Sequence, residues 1–499
     1  MLKKIKNTIK HSAIYGIGSI ATKLIGIVLL PLYTKHITVS EYGILGILEI
    51  TIVILAQVLI FGQPNAYMRF HNLNEFREKR KSTLFTTFIS LFSIAILLNI
   101  IGYFFANNFA AYFSNPTEFT IYFKLCFAVI SLRIINRLFL ADLRIKEKSI
   151  FYALANILKI VVILGLNIYF VAFAKIGIKG ILFSYLIGDG ILFLILFPKM
   201  ISEMMPKFDS KILKSALRFG FPLIFASLAG MLLNMGDRYL LKILVNYEEV
   251  GLYNLGYKIA GILNVLLIQS FALGFLPIVY KIFQQKGDKR FYSKLQTYFV
   301  FILFWAGLGL AFFSKELIET FTLNPDYWLA YKIVPIIILA YIFGGAKYVV
   351  NLGLYLKNKT KYVAYNTVFV LILNVILNFL FIPKYKMMGA AVATLISFIV
   401  LYFITYFTAN RFYKIPYENM KILKMLILAG VLFFLSTLTA NLNILARILI
   451  KIAIIFSFPF ILYFLNFYEK IELKRLKQSW QKWKSPQNWK KNISQIKFK

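Results

Sequence analysis

The sequence predicts an all-α, polytopic membrane protein with fourteen transmembrane helices, and three observations predict it. Apolar residues make up 60% of the chain and the mean hydropathy is +0.73, far above the averages of soluble proteins. Those residues gather into fourteen long runs separated by short polar breaks. Basic residues in the breaks concentrate on alternate sides of the runs.

A hydrocarbon core of about 30 Å needs roughly 20 helical residues. The runs that meet this length cover 12–34, 43–63, 83–106, 119–140, 151–174, 178–199, 217–237, 251–275, 295–314, 329–352, 363–382, 388–410, 421–440 and 444–467. Lys and Arg in the connections and at their edges number 39 on the side that holds both termini and 7 on the other. One missed span would swap sides downstream and erase that contrast, so the charge pattern checks the helix count. Basic loops face the cytoplasm, which predicts both termini there. The first run is long, lacks a small-residue cleavage site and leads straight into the second, so no cleavable signal peptide is expected.

A single cysteine, Cys126, excludes a disulfide framework and a CxxC redox pair. The net charge of +37 would suggest nucleic acid in a soluble protein, but its distribution assigns it to the membrane surface, and no nucleic-acid partner is expected. The tail from Tyr468 onward, with ten basic residues and Trp480, Trp483 and Trp489 interleaved, reads as a segment lying on the anionic inner leaflet.

Two stretches of the chain repeat. Val39-Ser40-Glu41-Tyr42-Gly43-Ile44-Leu45 resembles Tyr247-Glu248-Glu249-Val250-Gly251-Leu252-Tyr253 at an offset of 208. The segments starting at Gly180 and Gly389 match at 209, and Ser149, Ala153 and Asn167 align with Thr360, Ala364 and Asn378 at 211. Six spans separate the copies, so they share one orientation. This predicts two six-helix lobes, 1–210 and 211–412, related by a pseudo-two-fold axis along the membrane normal, with a site between them. Residues 413–467 then form an appended helix pair and 468–499 the basic tail. Pro31, Pro222, Pro277, Pro335 and Pro459 fall in or near the spans and predict kinks.

Eleven bases lie within or at the edges of the spans: Lys23, Lys124, Arg133, Arg137, Lys159, Arg238, Lys258, Lys332, Lys347, Arg447 and Lys451. Only Glu49, Asp189 and Asp237 oppose them there. Each buried charge costs about 2.5–3.5 kcal/mol on insertion scales, so such residues face a cavity or a partner. Snorkelling to headgroups accounts equally well for Lys332, Arg447 and Arg238, which stand near span ends.

Reactive chemistry is not evident. His11, His36 and His71 fall outside the spans, no phosphate-binding G-x-x-x-x-G-K-[ST] loop occurs, and no long external loop offers carboxylates. A transporter rather than an enzyme is expected, with no cofactor and no metal.

The runs Asn234-Met235-Gly236-Asp237-Arg238-Tyr239-Leu240-Leu241, Glu249-Val250-Gly251-Leu252-Tyr253 and Lys258-Ile259-Ala260 resemble the seventh and eighth helices of Wzx-like oligosaccharide flippases. These form the polysaccharide transporter branch of the multidrug/oligosaccharidyl-lipid/polysaccharide (MOP) superfamily. Leu143-Arg144 before the fifth span and Gly274-Phe275-Leu276-Pro277 closing the eighth resemble further patterns of that branch. The resemblance implies a two-lobed carrier that moves undecaprenyl-pyrophosphate-linked oligosaccharide from the inner to the outer leaflet of the bacterial cytoplasmic (inner) membrane by alternating access, for surface polysaccharide or O-antigen synthesis. Polysaccharide assembly proteins are then expected partners, beside the lipid-linked oligosaccharide and membrane lipids.

A pyrophosphate cannot cross hydrocarbon alone, so such a carrier needs fixed positive groups in a wet cavity. Arg133 and Arg137 stand at i and i+4 on one helical face, where two forks can grip one diphosphate. Lys23 and Lys159 would extend that basic wall, and Lys258 and Lys347 would supply the second lobe. The other reading of the arginine pair is binding to inner-leaflet headgroups or to Asp142. Asp237 and Arg238 are gate candidates, although adjacent helical residues diverge by about 100° and should find different partners. Glu49 and Asp189 either bind a coupling ion, H+ or Na+, or neutralise lysines, the latter being favoured. Two rival classes remain: a cation or drug antiporter of the same superfamily, which should line its cavity with carboxylates, and a membrane-embedded glycan polymerase or ligase, which should carry catalytic groups on an outer loop.

Overall fold

The computed structural model describes residues 26–111, 116–272 and 282–474, with positions 279 and 478. Its helices are α1 (Leu30–His36), α2 (Val39–Leu59), α3 (Gln63–Asn72), α4 (Arg80–Ala110), α5 (Pro116–Ile145), α6 (Ser149–Asn167), α7 (Gly177–Ser202), α8 (Ser210–Met235), α9 (Asp237–Leu244) and α10 (Tyr247–Leu263). There follow α11 (Asp288–Phe312), α12 (Ser314–Phe321), α13 (Val334–Val350), α14 (Leu352–Leu356), α15 (Thr360–Phe412), α16 (Asn419–Thr437) and α17 (Ile444–Phe464). Among the described residues there is no strand, and the chain is an all-helical, multi-pass membrane protein.

Eleven of the described helical segments are long and apolar enough to cross a bilayer, against fourteen spans expected. The difference has three local causes. Most of the first span lies outside the described residues. The fourth is present as α5, a helix of 30 residues, but Lys124, Arg133, Arg137 and Asp142 lower its apolar character. The eleventh and twelfth form the single 53-residue α15, interrupted at Lys386, where φ is 50° and ψ −129°.

The repeated motif turns out to be a helix start joined to a crossing. Thr38 caps α2: its Oγ1 accepts from the Glu41 amide at 3.2 Å while the Glu41 carboxylate accepts from the Thr38 amide at 2.7 Å. At the equivalent place Asn246 caps α10, accepting from the Glu249 amide at 3.0 Å. One turn later α2 and α10 cross at Gly43 and Gly251. A methyl group at Gly43 would strike the Tyr247 carbonyl, and one at Gly251 would strike the Val39 carbonyl. The contact is reciprocal, residue i of each helix lying on residue i−4 of the other, as an axis through this point requires. Gly180 and Gly389 are close-packed as well, but each within its own repeat: a methyl there would press on the Phe170 side chain and the Phe381 carbonyl respectively.

The two repeats also meet at the other end of α2. Gly62, at φ 63°, lies against Gly220 of α8, where a methyl group would come within 2.6 Å of the Gly220 Cα. Beside it Ala66, Phe70 and Ala216 form a small apolar cluster, with the Arg69 guanidinium 4.7 Å above the Phe219 ring. Tyr67 of α3 donates to Asp142 at 2.5 Å, and Lys146 binds both Asp142, at 2.6 Å, and Glu203. On the charge-poor side Tyr327 donates to the Ile37 carbonyl at 2.9 Å, with its ring edge-on to Tyr42 at 5.8 Å.

Of the prolines, Pro31 and Pro335 stand in first helical turns, Pro222 and Pro459 lie inside α8 and α17, and Pro277 is outside the described residues. Helices α16 and α17 pack on α11. Glu316 of α12, which the sequence reading left in a connection, fastens α17: Lys451 reaches it at 2.6 Å and Arg447 at 3.0 Å. The Trp-bearing tail lies outside the described residues.

Candidate functional site

Polar side chains on five spanning helices and the residues around α1 converge on one cavity of about 500 Å³. Tyr33 comes from α1, Glu49 from α2, Arg133, Asn136 and Arg137 from α5, Lys159 from α6, Tyr185 and Asp189 from α7, and Lys258 from α10. Glu49 stands ten residues along α2, about 15 Å at 1.5 Å per residue, so the cavity sits at mid-membrane depth.

Asp189 is 0% exposed and receives two cations: Arg133 Nε at 2.9 Å and Lys159 Nζ. Asn136 donates to the backbone carbonyl of Asp189 at 2.9 Å, fixing that turn of α7 against α5. Glu49 accepts from Tyr185 at 2.6 Å and faces Lys258 at 3.5 Å, with the Lys258 ammonium 5.0 Å above the Tyr42 ring. Arg137 has no carboxylate within 4.0 Å among the described residues. It donates to Gln57 Oε1 at 2.6 Å, and the Gln57 amide reaches Ser227 of α8 at 3.4 Å. Four bases therefore share the cavity with two acids, an excess of two positive charges in a low-dielectric setting.

The structure brings Arg133, Arg137, Lys159, Lys258, Glu49 and Asp189 together. Lys347, on α13, does not line this cavity; its ammonium lies 5.7 Å from the Tyr348 ring, without a carboxylate partner among the described residues. Lys23 lies outside the described residues. Asp142 is taken by Tyr67 and Lys146 rather than by the arginine pair.

Asp237 and Arg238 correct the expectation that neighbours on a helix find different partners. Arg238 donates to Asp237 at 2.7 Å and to the Asn234 carbonyl at 2.8 Å. Gly236 separates α8 from α9 but keeps right-handed helical angles, φ −68° and ψ −26°, so it is the arginine's length that lets it fold back over its neighbour. Tyr253 and, at 3.2 Å, Thr394 complete the carboxylate's shell, while the Tyr257 ring lies 3.9 Å beneath the guanidinium. The pair is sealed and self-neutralised, Asp237 being 1% and Arg238 3% exposed.

Gln57, Tyr33, Asn136 and Tyr185 were not singled out from the sequence. A readable signal existed for two of them: Gln57 and Asn136 are uncharged polar residues within apolar spans, where an unpaired amide is costly. Nothing in the sequence distinguishes Tyr33 and Tyr185 among 31 tyrosines.

Comparison with known proteins agrees with this architecture. A structure of the lipid II flippase MurJ in an inward closed conformation is similar with a TM-score of 0.74 at 20% identity, over 90% of this chain and 98% of that one. An inward-facing multidrug resistance MATE transporter of the MOP superfamily gives 0.62 at 14% identity, over 81% and 95%, and a Vibrio cholerae MATE transporter 0.59 at 15%, over 81% and 97%. At these identities the likeness is one of fold. A curated relative from Haloferax volcanii, the "Probable low-salt glycan biosynthesis flippase", is 24% identical over 245 residues, 48% of this chain, and the chain spans about half the length of that relative, 52%. Residues 8–283, more than half of the sequence and including every described residue of the cavity, match the family described as "Polysaccharide biosynthesis protein", and the chain belongs to that family.

Proposed function

We propose that this protein is a flippase for a lipid-linked oligosaccharide, carrying undecaprenyl-pyrophosphate-linked units from the inner to the outer leaflet of a bacterial cytoplasmic membrane. Both termini then lie in the cytoplasm, residues 1–210 and 211–412 act as two lobes, and the cavity alternates between the two sides. The observation that carries the reading is Arg137, a half-buried arginine lining the cavity near the cytoplasmic end of its span, one helical turn from Arg133; no carboxylate among the described residues approaches Arg137 within 4.0 Å. An anion is the ligand such a site lacks. The pyrophosphate binds between Arg137 and Arg133, with Lys159 and Lys258 as further positive charge, while the sugars occupy the cavity and the polyprenyl tail stays in lipid.

The family membership, the named function of the Haloferax relative and the fold shared with MurJ support this reading. A cation antiporter would need acids in excess in the cavity, and bases outnumber acids there. With an inside-negative membrane, outward movement of two negative charges gains about 4.6 kcal/mol at 100 mV, at about 2.3 kcal/mol per charge. A coupling ion is thus allowed but not required.

The test is reconstitution in vesicles containing fluorescent undecaprenyl-pyrophosphate-linked oligosaccharide. Wild-type protein should move the lipid between leaflets and leave a cationic dye where it is. Dye transport without lipid transport overturns the reading.

A further inference from the structure

A second, separate groove opens on the basic side, between α4 and the start of α8, with a volume of about 680 Å³. Its walls are Ser90 and Ile94 of α4, Phe61 and Gln63 beside the Gly62 crossing, and Lys214, Leu217, Arg218 and Phe221 of α8. Lys214 and Arg218 are exposed and stand at i and i+4, so both charges project from one face. Neither has an ion-pair partner among the described residues.

Gln63 supplies the second, independent observation. It is 0% exposed, and both its Nε2 and its Oε1 lack a hydrogen-bond partner among the described residues. A buried amide left unmade costs about 1–3 kcal/mol, so a residue of this kind lining a groove is a place where a ligand completes the bonding. Depth along the helices orders the chemistry. Lys214 and Arg218 lie about 6 and 12 Å from the start of α8 at 1.5 Å per residue, and Phe221 lies deeper, at about 17 Å. Positive groups at headgroup level followed by an apolar wall fit a molecule with an anionic head and a hydrocarbon tail.

We infer that this groove binds the phosphate headgroup of an anionic phospholipid from the inner leaflet, with Lys214 and Arg218 holding the phosphate, the Gln63 amide donating to one of its oxygens, and an acyl chain lying on Ile94 and Phe221. The site is distinct from the central cavity and does not depend on which substrate that cavity carries. Because Gln63 directly follows Gly62, whose backbone meets Gly220, a lipid seated here rests on the junction of the two repeats.

Native mass spectrometry of the full chain released from nanodiscs of mixed phosphatidylglycerol and phosphatidylcholine tests this. Wild-type protein should retain phosphatidylglycerol. Lys214→Gln with Arg218→Gln should lower that retention at least fivefold, and Gln63→Leu at least twofold. Lys211→Gln, an exposed lysine of the same helix outside the groove, should leave it unchanged. Equal retention by the double variant, an equal loss in Lys211→Gln, unaltered retention in Gln63→Leu, or release of the lipid by excess inorganic phosphate would each overturn the assignment. Melting in detergent separates loss of lipid from loss of fold.

Discussion

Gly43 and Gly251 touch backbone to backbone: a methyl group on Gly43 would lie 3.0 Å from the Gly251 nitrogen, with the Tyr247 carbonyl closer still. No side chain fits in that crossing. Gly43→Ala or Gly251→Ala should therefore push α2 and α10 apart, with an overpacking cost of about 1–3 kcal/mol and a lower unfolding temperature in detergent. Gly430→Ala is the control. It has no atom within 4 Å of the added carbon and sits inside α16, so it should be neutral or stabilise by roughly 0.5–1 kcal/mol.

Asp189 is the common counter-charge of Arg133 and Lys159. Asp189→Asn leaves two cations facing each other without it and should destabilise the protein by about 3–5 kcal/mol. Adding Lys159→Gln should recover part of that loss. A double-mutant cycle on thermal unfolding measures the coupling, and simple additivity would show that the two residues act independently.

Arg137→Gln separates transport from folding more cleanly than Arg133→Gln, because it leaves no acid unpaired. Its unfolding temperature should stay near that of the wild type while lipid translocation in vesicles falls at least tenfold. Normal translocation would remove Arg137 from the proposed binding group while leaving the flippase reading open.

Glu418 and Glu469, outside the spans, clamp the start of the tail to α11. Lys294 reaches Glu418 at 2.9 Å and Glu469 at 2.6 Å. Burial raises the Glu418 carboxyl, but bonds from Lys294, Thr297 and Lys421 outweigh it and hold the group below its ordinary value; a bond from Lys294 does the same for Glu469. A depressed folded-state value gives stability that is fully present above the unfolded value of about 4.3 and is lost as pH falls through the folded one. The gap in unfolding temperature between wild type and Glu418→Gln should thus be widest near neutral pH and close below about pH 4. A gap independent of pH would contradict the clamp.

Lys386 occupies φ 50°, ψ −129°, a region that suits glycine, at the break in α15. Its ammonium is largely exposed and reaches Glu249 only at 3.7 Å. Lys386→Gly should relieve about 1 kcal/mol or more and raise the unfolding temperature.

Much of the scaffold was legible because hydropathy and the alternation of basic loops report on a bilayer whose thickness is fixed. The repeat was legible too: its Gly43 and Gly251 proved to be the crossing point, and the caps Thr38 and Asn246 stand one residue before the matched stretches. The bases of the cavity could be named because a charge in an apolar run is conspicuous. Their partners could not. Whether Arg133 meets Asp189, or Arg137 meets Gln57, depends on the rotation of α5 against α7 and α2, which tertiary packing sets. Periodicity does not show the Asp237 and Arg238 pairing either: it fixes where each side chain leaves the helix, and a long arginine can fold back from there onto its neighbour.

The duplication doubles the frame but not the electrostatics. In the alignment of the repeats Glu49 corresponds to Tyr257, Lys159 to Val370 and Asp189 to Phe398, while the ion pair of the second repeat is shut away behind Tyr253 and Tyr257. Three of the four bases in the cavity, Arg133, Arg137 and Lys159, stand on the first repeat, so its positive charge is unevenly shared between the two. An anion held at Arg137 would stay anchored to that repeat, with Lys258, the one base that the other repeat contributes to the cavity among the described residues, as its tether across the seam.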